Sequence, residues 1–347
     1  MIRVAIANDT VIALEALRRA IASDPTYRLI WTASDGEQAI KKAASDPPDL
    51  MLMDLLMPKI DGVEATRQIM ARSPCAILIV TASVNRNTSK VFEAMGAGAL
   101  DVVKTPTLED RVDRAFGRNL NQTIAARPLL AKMATARAYI GKPRQRSTRQ
   151  KLDSPQAHWP ELVVIGASTG GPKALAEILA QMPADSQVAM VVVQHIDAQF
   201  AKGLADWLNE QTSMRVRLAI SGDRPVAGTV LVAGGNRHLV MQGDRSLVYK
   251  DAASSDIYRP SIDTFFMSLA QCWPLSPFVV GKAVLLTGMG RDGARGLLAL
   301  RAAKWKTIAE SEDSCVVYGM PRAAVDLDAA DQVLDIQAIS RAIANGR

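Results

Sequence analysis

The feature that most constrains this chain is a pattern that occurs twice. Short apolar runs alternate with amphipathic helical stretches, the alternation dissolves into a basic, proline-punctuated stretch, and it then resumes. In the first ~120 residues the strand-like runs are Ile2–Ala7, Arg28–Ala33, Leu50–Met53, Ala76–Val80 and Ala99–Val103. Between them lie helical patterns such as Val11–Ala22, where Leu14, Leu17 and Ile21 keep one apolar stripe. Strands alternating with helices predict a parallel sheet covered on both faces, and five of each are expected here. From Glu161 the pattern returns. Strands are expected at Leu162–Ile165, Val188–Val193, Val216–Ala219, Thr229–Ala233, Ala283–Thr287 and Lys306–Ala309. Helices are expected at Pro172–Met182, Phe200–Gln211, Ile262–Ala270, Ala294–Ala303 and Ala338–Ala344. Gly222–Lys250, with its Gly/Asn turns, predicts a small antiparallel piece. The fold class is therefore α/β, with two doubly wound, mainly parallel-sheet domains, as 347 residues comfortably allow.

The region between them is distinct in charge. Arg114 to Leu152 holds ten Lys/Arg and no acid, more than the whole net charge of +6, so the rest of the chain is net acidic. Asn119–Ile140 can extend the last helix of the first half, and Gly141–Pro155 reads as a linker. The expected division is residues 1–122, a basic linker 123–158, and 159–347. A solvated spacer is the favoured reading of the linker; contact with an acidic array or a membrane surface is the alternative.

Composition excludes several classes. Aromatic residues make up only 5% of the chain, which argues against a base-stacking nucleic-acid platform. Cys75, Cys272 and Cys315 are far apart and form no metal-binding or disulfide pattern. No apolar run approaches the ~20 residues of a membrane span, and no signal-peptide stretch opens the chain, so a cytoplasmic protein is expected.

In the first half, Asp9 and Asp54 close the first and third strands, Thr81 the fourth and Lys104 the fifth. Two carboxylates at one sheet edge repel unless a divalent cation joins them, and Mg²⁺ takes such ligands. A hydroxyl and an ammonium beside them suit a phosphoryl oxygen. Together the four describe a phosphoryl-transfer site with a carboxylate nucleophile. Residues 1–120 resemble a response-regulator receiver domain. That resemblance implies Asp54, in MDLLMPKIDG, as phospho-acceptor, with Thr81 as switch hydroxyl, Lys104 as phosphate-binding lysine, and Asp9 with Asp54 at the Mg²⁺. Two departures stand out. Asn8 replaces the first of two adjacent acids, and Thr105 separates Lys104 from Pro106.

In the second half, a strand runs into Gly166-Ala167-Ser168-Thr169-Gly170-Gly171-Pro172 and then a helix. A serine at such a turn is exposed and sits near free helix N–H groups. The motif alone leaves three readings: a nucleophile, an anion-binding nest, or a helix cap. Of the three histidines, His195 follows the next strand, where a general base belongs. His158 lies in the linker, and His238 reads as a surface or substrate-edge residue. Thr287-Gly288-Met289-Gly290-Arg291-Asp292-Gly293 brings an acid that can orient an imidazole, and glycines that free backbone N–H groups for an oxyanion.

The segments IGASTGGP, VVVQHI, RPSID, TGMGRDG and YGMPRAA together resemble the methylesterase domain of chemotaxis receptor-modification enzymes of the CheB type, over about residues 160–345. The resemblance implies a phosphorylation-activated serine hydrolase that demethylates glutamate methyl esters, and deamidates certain glutamines, on chemoreceptor-like proteins. It implies Ser168 as nucleophile, His195 as general base and Asp292 as its orienter, with Thr169 contacting the histidine and Met289 supplying an oxyanion N–H. The esterase needs no cofactor. A methylated receptor is the implied substrate and a CheA-type histidine kinase the phosphodonor, with the unphosphorylated receiver expected to block the serine site. ANDTVIALEALRR, CAILIVTAS and VFEAMGAGALDVVKTP resemble the Wsp-type surface-sensing branch more than the flagellar one. Two rival classes are a non-catalytic receptor-binding regulator, against which the complete Ser/His/Asp set argues, and a DNA-binding regulator, for which residues 160–347 show no helix-turn-helix spacing. Gly319-Met320-Pro321 carries no assigned chemistry.

Overall fold

The computed structural model describes residues 1–82, 88–106, 128–134, 136, 161–253, 255–273 and 281–344. They divide into two compact units, Met1–Pro143 and Arg144–Arg347.

The first unit contains β1 (Ile2–Ala7), β2 (Tyr27–Ala33), β3 (Leu50–Asp54), β4 (Ala76–Thr81) and β5 (Asp101–Lys104), with helices α1 (Val11–Ala22), α2 (Gly36–Ser45), α3 (Gly62–Arg72) and α4 (Thr88–Ala97). The sheet order is β2-β1-β3-β4-β5, parallel throughout. LMLM of β3 and AILIVT of β4 are buried without alternation, as strands covered on both faces must be. Helices start where the sequence offers caps: Asp35 accepts from Gln38 N–H before α2, and Asp61 from Glu64 N–H before α3. The order reverses between β1 and β3, so the carboxyl ends of these two strands open a crevice. The expected helix between β5 and the linker falls largely on residues 107–127, outside the described residues. Residues 128–134 are helical (α5), with Leu129 and Met133 buried and Lys132 paired with Asp101. That stretch lies inside the region expected as linker.

In the second unit β6 (Glu161–Ala167), α6 (Gly171–Leu179), β7 (Val188–Gln194) and α7 (Ala198–Glu210) lead into β8 (Arg215–Leu218) and β9 (Thr229–Val232). The antiparallel pair β10 (His238–Met241) and β11 (Leu247–Lys250) is the small piece expected within Gly222–Lys250. There follow α8 (Ile262–Cys272), β12 (Gly281–Leu285), α9 (Ala294–Ala302), β13 (Lys306–Glu310), α10 (Met320–Asp326), β14 (Gln332–Leu334) and α11 (Ile336–Ala344). The main sheet runs β14-β13-β12-β6-β7-β9-β8, again parallel. One side of its core is filled by Phe265, Phe266 and Ile262 from α8, Leu297 from α9 and Trp305. Side chains of this size each contribute roughly 1.5–3 kcal/mol when fully buried. Expected and observed elements agree to within a residue or two at their ends, except that α6 stops at Leu179, three residues short of the expected Met182. β12 ends before Thr287 because the Thr287 N–H turns aside to the buried Glu310 carboxylate.

Candidate active site

β6 is the central strand of the second unit, with β7 on one side and β12 on the other. The chain leaves β6 towards β7 and returns on the opposite side at β12, so the sheet's switch point lies at the carboxyl end of β6. Ser168 is the first residue beyond β6, and His195 the first beyond β7. The register Ala167↔Gln194 places the two side by side. Asp292 comes from the loop after β12, whose Leu285 is registered with Gly166. The three candidate residues therefore leave three adjacent strands at one edge.

His195 Nε2 lies 2.8 Å from Asp292 Oδ2. This leaves Nδ1 as the ring nitrogen free to accept a proton. Asp292 is buried and receives three further donors: Ser261 Oγ–H at 2.9 Å, Ile262 N–H at 2.7 Å and Asp263 N–H at 3.0 Å. The last two belong to the first turn of α8, whose positive end adds to the effect. Burial pushes the Asp292 pKa up, but the bond and charge of His195 with the two N–H groups outweigh it, and the carboxyl is held below its ordinary range. The acid is thus an ionised, fully occupied acceptor. The His195 ring is also stacked on Tyr258, with centroids 4.7 Å apart and planes 9° from parallel.

The serine turn is held from below. Ser168 N–H donates to Thr287 O at 3.0 Å, and Ser168 O accepts from Gly171 N–H at 2.8 Å. Gln194, buried at the end of β7, donates its side-chain amide both to Ser168 O at 2.8 Å and to His195 O at 3.0 Å, so one side chain ties the two turns together. Gly288 approaches so closely that a Cβ there would lie 2.6 Å from Ser168 Cβ and 2.4 Å from Met320 Sδ. This brings the Gly288–Met289 peptide beside the serine, as an oxyanion donor requires. Gly290 has φ +89°, and a Cβ would meet the Tyr258 hydroxyl at 2.2 Å. Thr169 is buried, and its carbonyl accepts from Thr287 Oγ1 at 2.9 Å. Met289 is about half exposed.

A cleft of about 740 Å³ opens beside Asp292, lined by Tyr258, Ser261, Gly290, Arg291 and Arg295. His238 also lines it, in keeping with the substrate-edge reading of the sequence, while the surface reading is corrected. His238 is not a surface residue: it is 7% exposed, opens β10, and bonds to Asp256 and to the Ser261 backbone. A polar residue between Gly/Asn turns looks exposed in sequence, but the hairpin packs against α8 and covers it. The sequence alone does not single out Tyr258, Ser261 or Gln194. Ser261 and Gln194 are signalled only as polar residues within RPSID and VVVQHI, and Tyr258, directly before RPSID, has no signal of its own.

In the first unit, Asp54 at the end of β3 accepts from Leu55 N–H at 2.7 Å and from Asn8 Nδ2–H at 3.1 Å. Burial foremost, with the neighbouring charge of Asp9, pushes its carboxyl up to about 6 against the pull of the Leu55 and Leu56 N–H groups. Asp9 is exposed one residue beyond the Asn8 side chain that reaches Asp54. Thr81 is buried at the end of β4, registered with the exposed Lys104 of β5. The four predicted residues thus occupy the carboxyl ends of β1, β3, β4 and β5. The donor set fits one divalent cation that keeps most of its waters: two neighbouring carboxylates, of which Asp54 has its pKa raised, but no group of three metal-binding side chains among the described residues. Asn8 Oδ1 is already engaged with Thr10 N–H.

A family model described as CheB methylesterase matches residues 163–343, and one described as response regulator receiver domain matches residues 4–116. The chain is 49% identical over 348 residues to protein-glutamate methylesterase/protein-glutamine glutaminase 3 of Pseudomonas aeruginosa, covering 99% of this chain and 98% of that protein. It is 50% identical over 339 residues to protein-glutamate methylesterase/protein-glutamine glutaminase 1 of Bordetella avium, covering 96% and 94%. Among solved structures, the Thermotoga maritima CheB methylesterase catalytic domain is similar with TM-score 0.50 and 31% identity, over 54% of this chain and 98% of that one. No helix among the described residues is long and apolar enough to cross a membrane.

Proposed function

The chain belongs to the CheB methylesterase family and carries a receiver domain in the same polypeptide, and from that premise we propose that it is a phosphorylation-activated protein-glutamate methylesterase and protein-glutamine glutaminase acting on chemoreceptor-like proteins. The observation that carries the reading is the convergence of Ser168, His195 and Asp292 on one sheet edge, with Asp292 holding His195 Nε2 at 2.8 Å.

The chemistry follows from which nitrogen is free. Ser168 Oγ attacks the γ-carbonyl carbon of the glutamyl ester while His195 Nδ1 takes its proton. The imidazolium is stabilised by Asp292 through Nε2–H. The carbonyl oxygen becomes an oxyanion, stabilised by the Met289 N–H, with Thr169 supporting the base. On collapse the methoxy group leaves with the proton from His195, as methanol. A water then gives its proton to His195 Nδ1, attacks the acyl carbon, and Ser168 departs reprotonated, leaving free glutamate. With a glutamine substrate the leaving group is ammonia and the later steps are the same.

The reading extends to the first unit. The domains are residues 1–122 and 159–347, joined by the basic stretch 123–158, of which residues 128–134 form α5. Asp54 takes the phosphoryl group from a CheA-type histidine kinase, and the group's new charge is met by Thr81 and Lys104. Asp9 and Asp54 would hold Mg²⁺, which when bound would supply charge neutralisation for the phosphoryl group. The protein works in the cytoplasm. The likeness of the receiver segments to the Wsp-type branch favours a surface-sensing receptor as substrate.

The test is methanol release from methylated receptor by the full chain, with and without a small-molecule phosphodonor. Wild type is expected to turn over faster with the phosphodonor, and Ser168→Ala to release no methanol in either condition. Substantial turnover by Ser168→Ala overturns the assignment.

A further inference from the structure

Asp292 is held by more than His195, and the group behind its clamp is a second histidine–aspartate pair. His238 Nε2 lies 2.8 Å from Asp256 Oδ2, and His238 Nδ1 accepts the Ser261 N–H at 3.1 Å. An accepting Nδ1 has no proton, so the proton of the neutral ring sits on Nε2 and is donated to Asp256. Asp256 is locked in turn by the Ala253 N–H at 2.8 Å. His238 is thereby held in one tautomer and one orientation.

Ser261 is the residue through which this reaches the site. It is the N-cap of α8, with its Oγ accepting from Thr264 N–H at 3.2 Å while donating to Asp292 Oδ1 at 2.9 Å. The next two N–H groups, of Ile262 and Asp263, also end on Asp292. Three of the four donors on the candidate catalytic acid, one hydroxyl and two backbone N–H groups, therefore come from the single stretch Ser261–Asp263, and His238 is the side chain that fixes where that stretch begins. The resulting chain runs Asp256, His238, Ser261, Asp292, His195, on side chains that are buried or nearly so except at its outer end.

We propose that His238 is a positioning residue for catalysis: its unprotonated Nδ1 anchors the Ser261 backbone, and through it sets Asp292 and the His195 ring for proton transfer. The proposal rests on the Ser168–His195–Asp292 reading and deepens it. A positioning role has a kinetic signature. A misplaced base slows chemistry without loosening the substrate, and a shift of about 1 Å in such a site can cost on the order of 100-fold.

The experiment compares His238→Leu with His238→Asn in the full chain. Leu removes the acceptor. The Asn Oδ1 stands near the position of Nδ1 and can still take the Ser261 N–H. His238→Leu is expected to lower kcat on the order of 10–100-fold with KM within about twofold, and His238→Asn to recover most of that loss. Equal impairment of the two variants, a wild-type kcat in His238→Leu, or a rise in KM alone overturns the proposal. Since His238→Leu can also fail to fold, ¹⁵N histidine NMR of the wild-type chain reads the tautomer directly. Its few histidine signals are assignable with His238→Asn. A non-protonated Nδ1 at His238 is expected, and a protonated Nδ1 refutes the anchor. Ser168→Ala, run in parallel, separates the two failures: if it stays active, the nucleophile reading falls, and if it is dead while His238→Leu is unaffected, only the anchor does.

Discussion

Glu310→Gln is expected to make the second unit more stable at neutral and alkaline pH and to leave it nearly unchanged in acid. Glu310 ends β13 and is completely buried. Its Oε2 accepts the Thr287 N–H at 2.8 Å and its Oε1 the Ser314 hydroxyl at 3.0 Å. Those bonds favour the carboxylate, but burial outweighs them and pushes the group from 4.5 up to about 7. The sign follows from linkage: between those two values the folded protein holds a proton that the unfolded chain has released. The stabilisation is fully present below pH 4.5 and is lost as pH rises to about 7. At 1.36 kcal/mol per unit, the loss is of the order of 3 kcal/mol. A glutamine keeps the carbonyl acceptor for Thr287 and turns its amide towards the Ser314 oxygen, without a charge to bury. For a unit of this size that corresponds to a Tm gap on the order of 6–12 °C. The assay is thermal unfolding of wild type and variant in parallel from about pH 4 to pH 8, read as the difference between them. A difference that stays flat across this range, or a wild type that gains on the variant as pH rises, refutes the reasoning. Because Thr287 also bonds to Thr169 O and receives the Val317 N–H at 2.9 Å, the same variant should retain methanol release.

Tyr258→Ala removes the ring stacked on His195 and is expected to lower kcat roughly 3–10-fold, the equivalent of an aromatic contact, while Tyr258→Phe keeps the stack and stays near wild type. Methanol-release kinetics distinguish the two, and a Phe variant as slow as Ala removes the stacking argument. Asn8→Asp replaces the amide that donates to Asp54 by a third carboxylate, and is expected to tighten Mg²⁺ binding to the receiver by several-fold. Titration calorimetry with Mg²⁺ reads this directly, and unchanged or weaker binding refutes it.

The parts of this molecule legible in its sequence are those that a parallel sheet repeats. Once β6 and β7 are recognised as buried runs, the residues just beyond them must lie at one edge, and Ser168 and His195 follow. Asp292 required more, since it lies seven residues past the end of β12, and only the glycine-rich turn around it marked the place. Elements without a period are not legible in the sequence. β14 is three residues of a largely exposed edge strand, too short to show alternation. α10 is a single short helix starting at Met320-Pro321.

That second omission explains why Gly319-Met320-Pro321 had no evident chemistry. The N–H groups of Gly319 and Met320 both end on Gly288 O, at 3.1 and 2.9 Å, while Gly288 N–H donates to Val317 O at 3.0 Å. Met320 Sδ fills the space where a Gly288 side chain would be. The start of α10 is therefore the mould for the Gly288–Met289 turn. In the proposed mechanism it acts only by deciding where the Met289 N–H points, a role that belongs to backbone geometry and has no side-chain signature. The same holds for Ser261 and His238. Their contribution is to aim other groups, and residues that aim are found only when the groups they aim at are placed in space. A site of this kind shows its reacting atoms in the sequence and hides its supports, because the reacting atoms are restricted by chemistry to a few residue types, while a support needs only a hydrogen-bonding atom at the right spot.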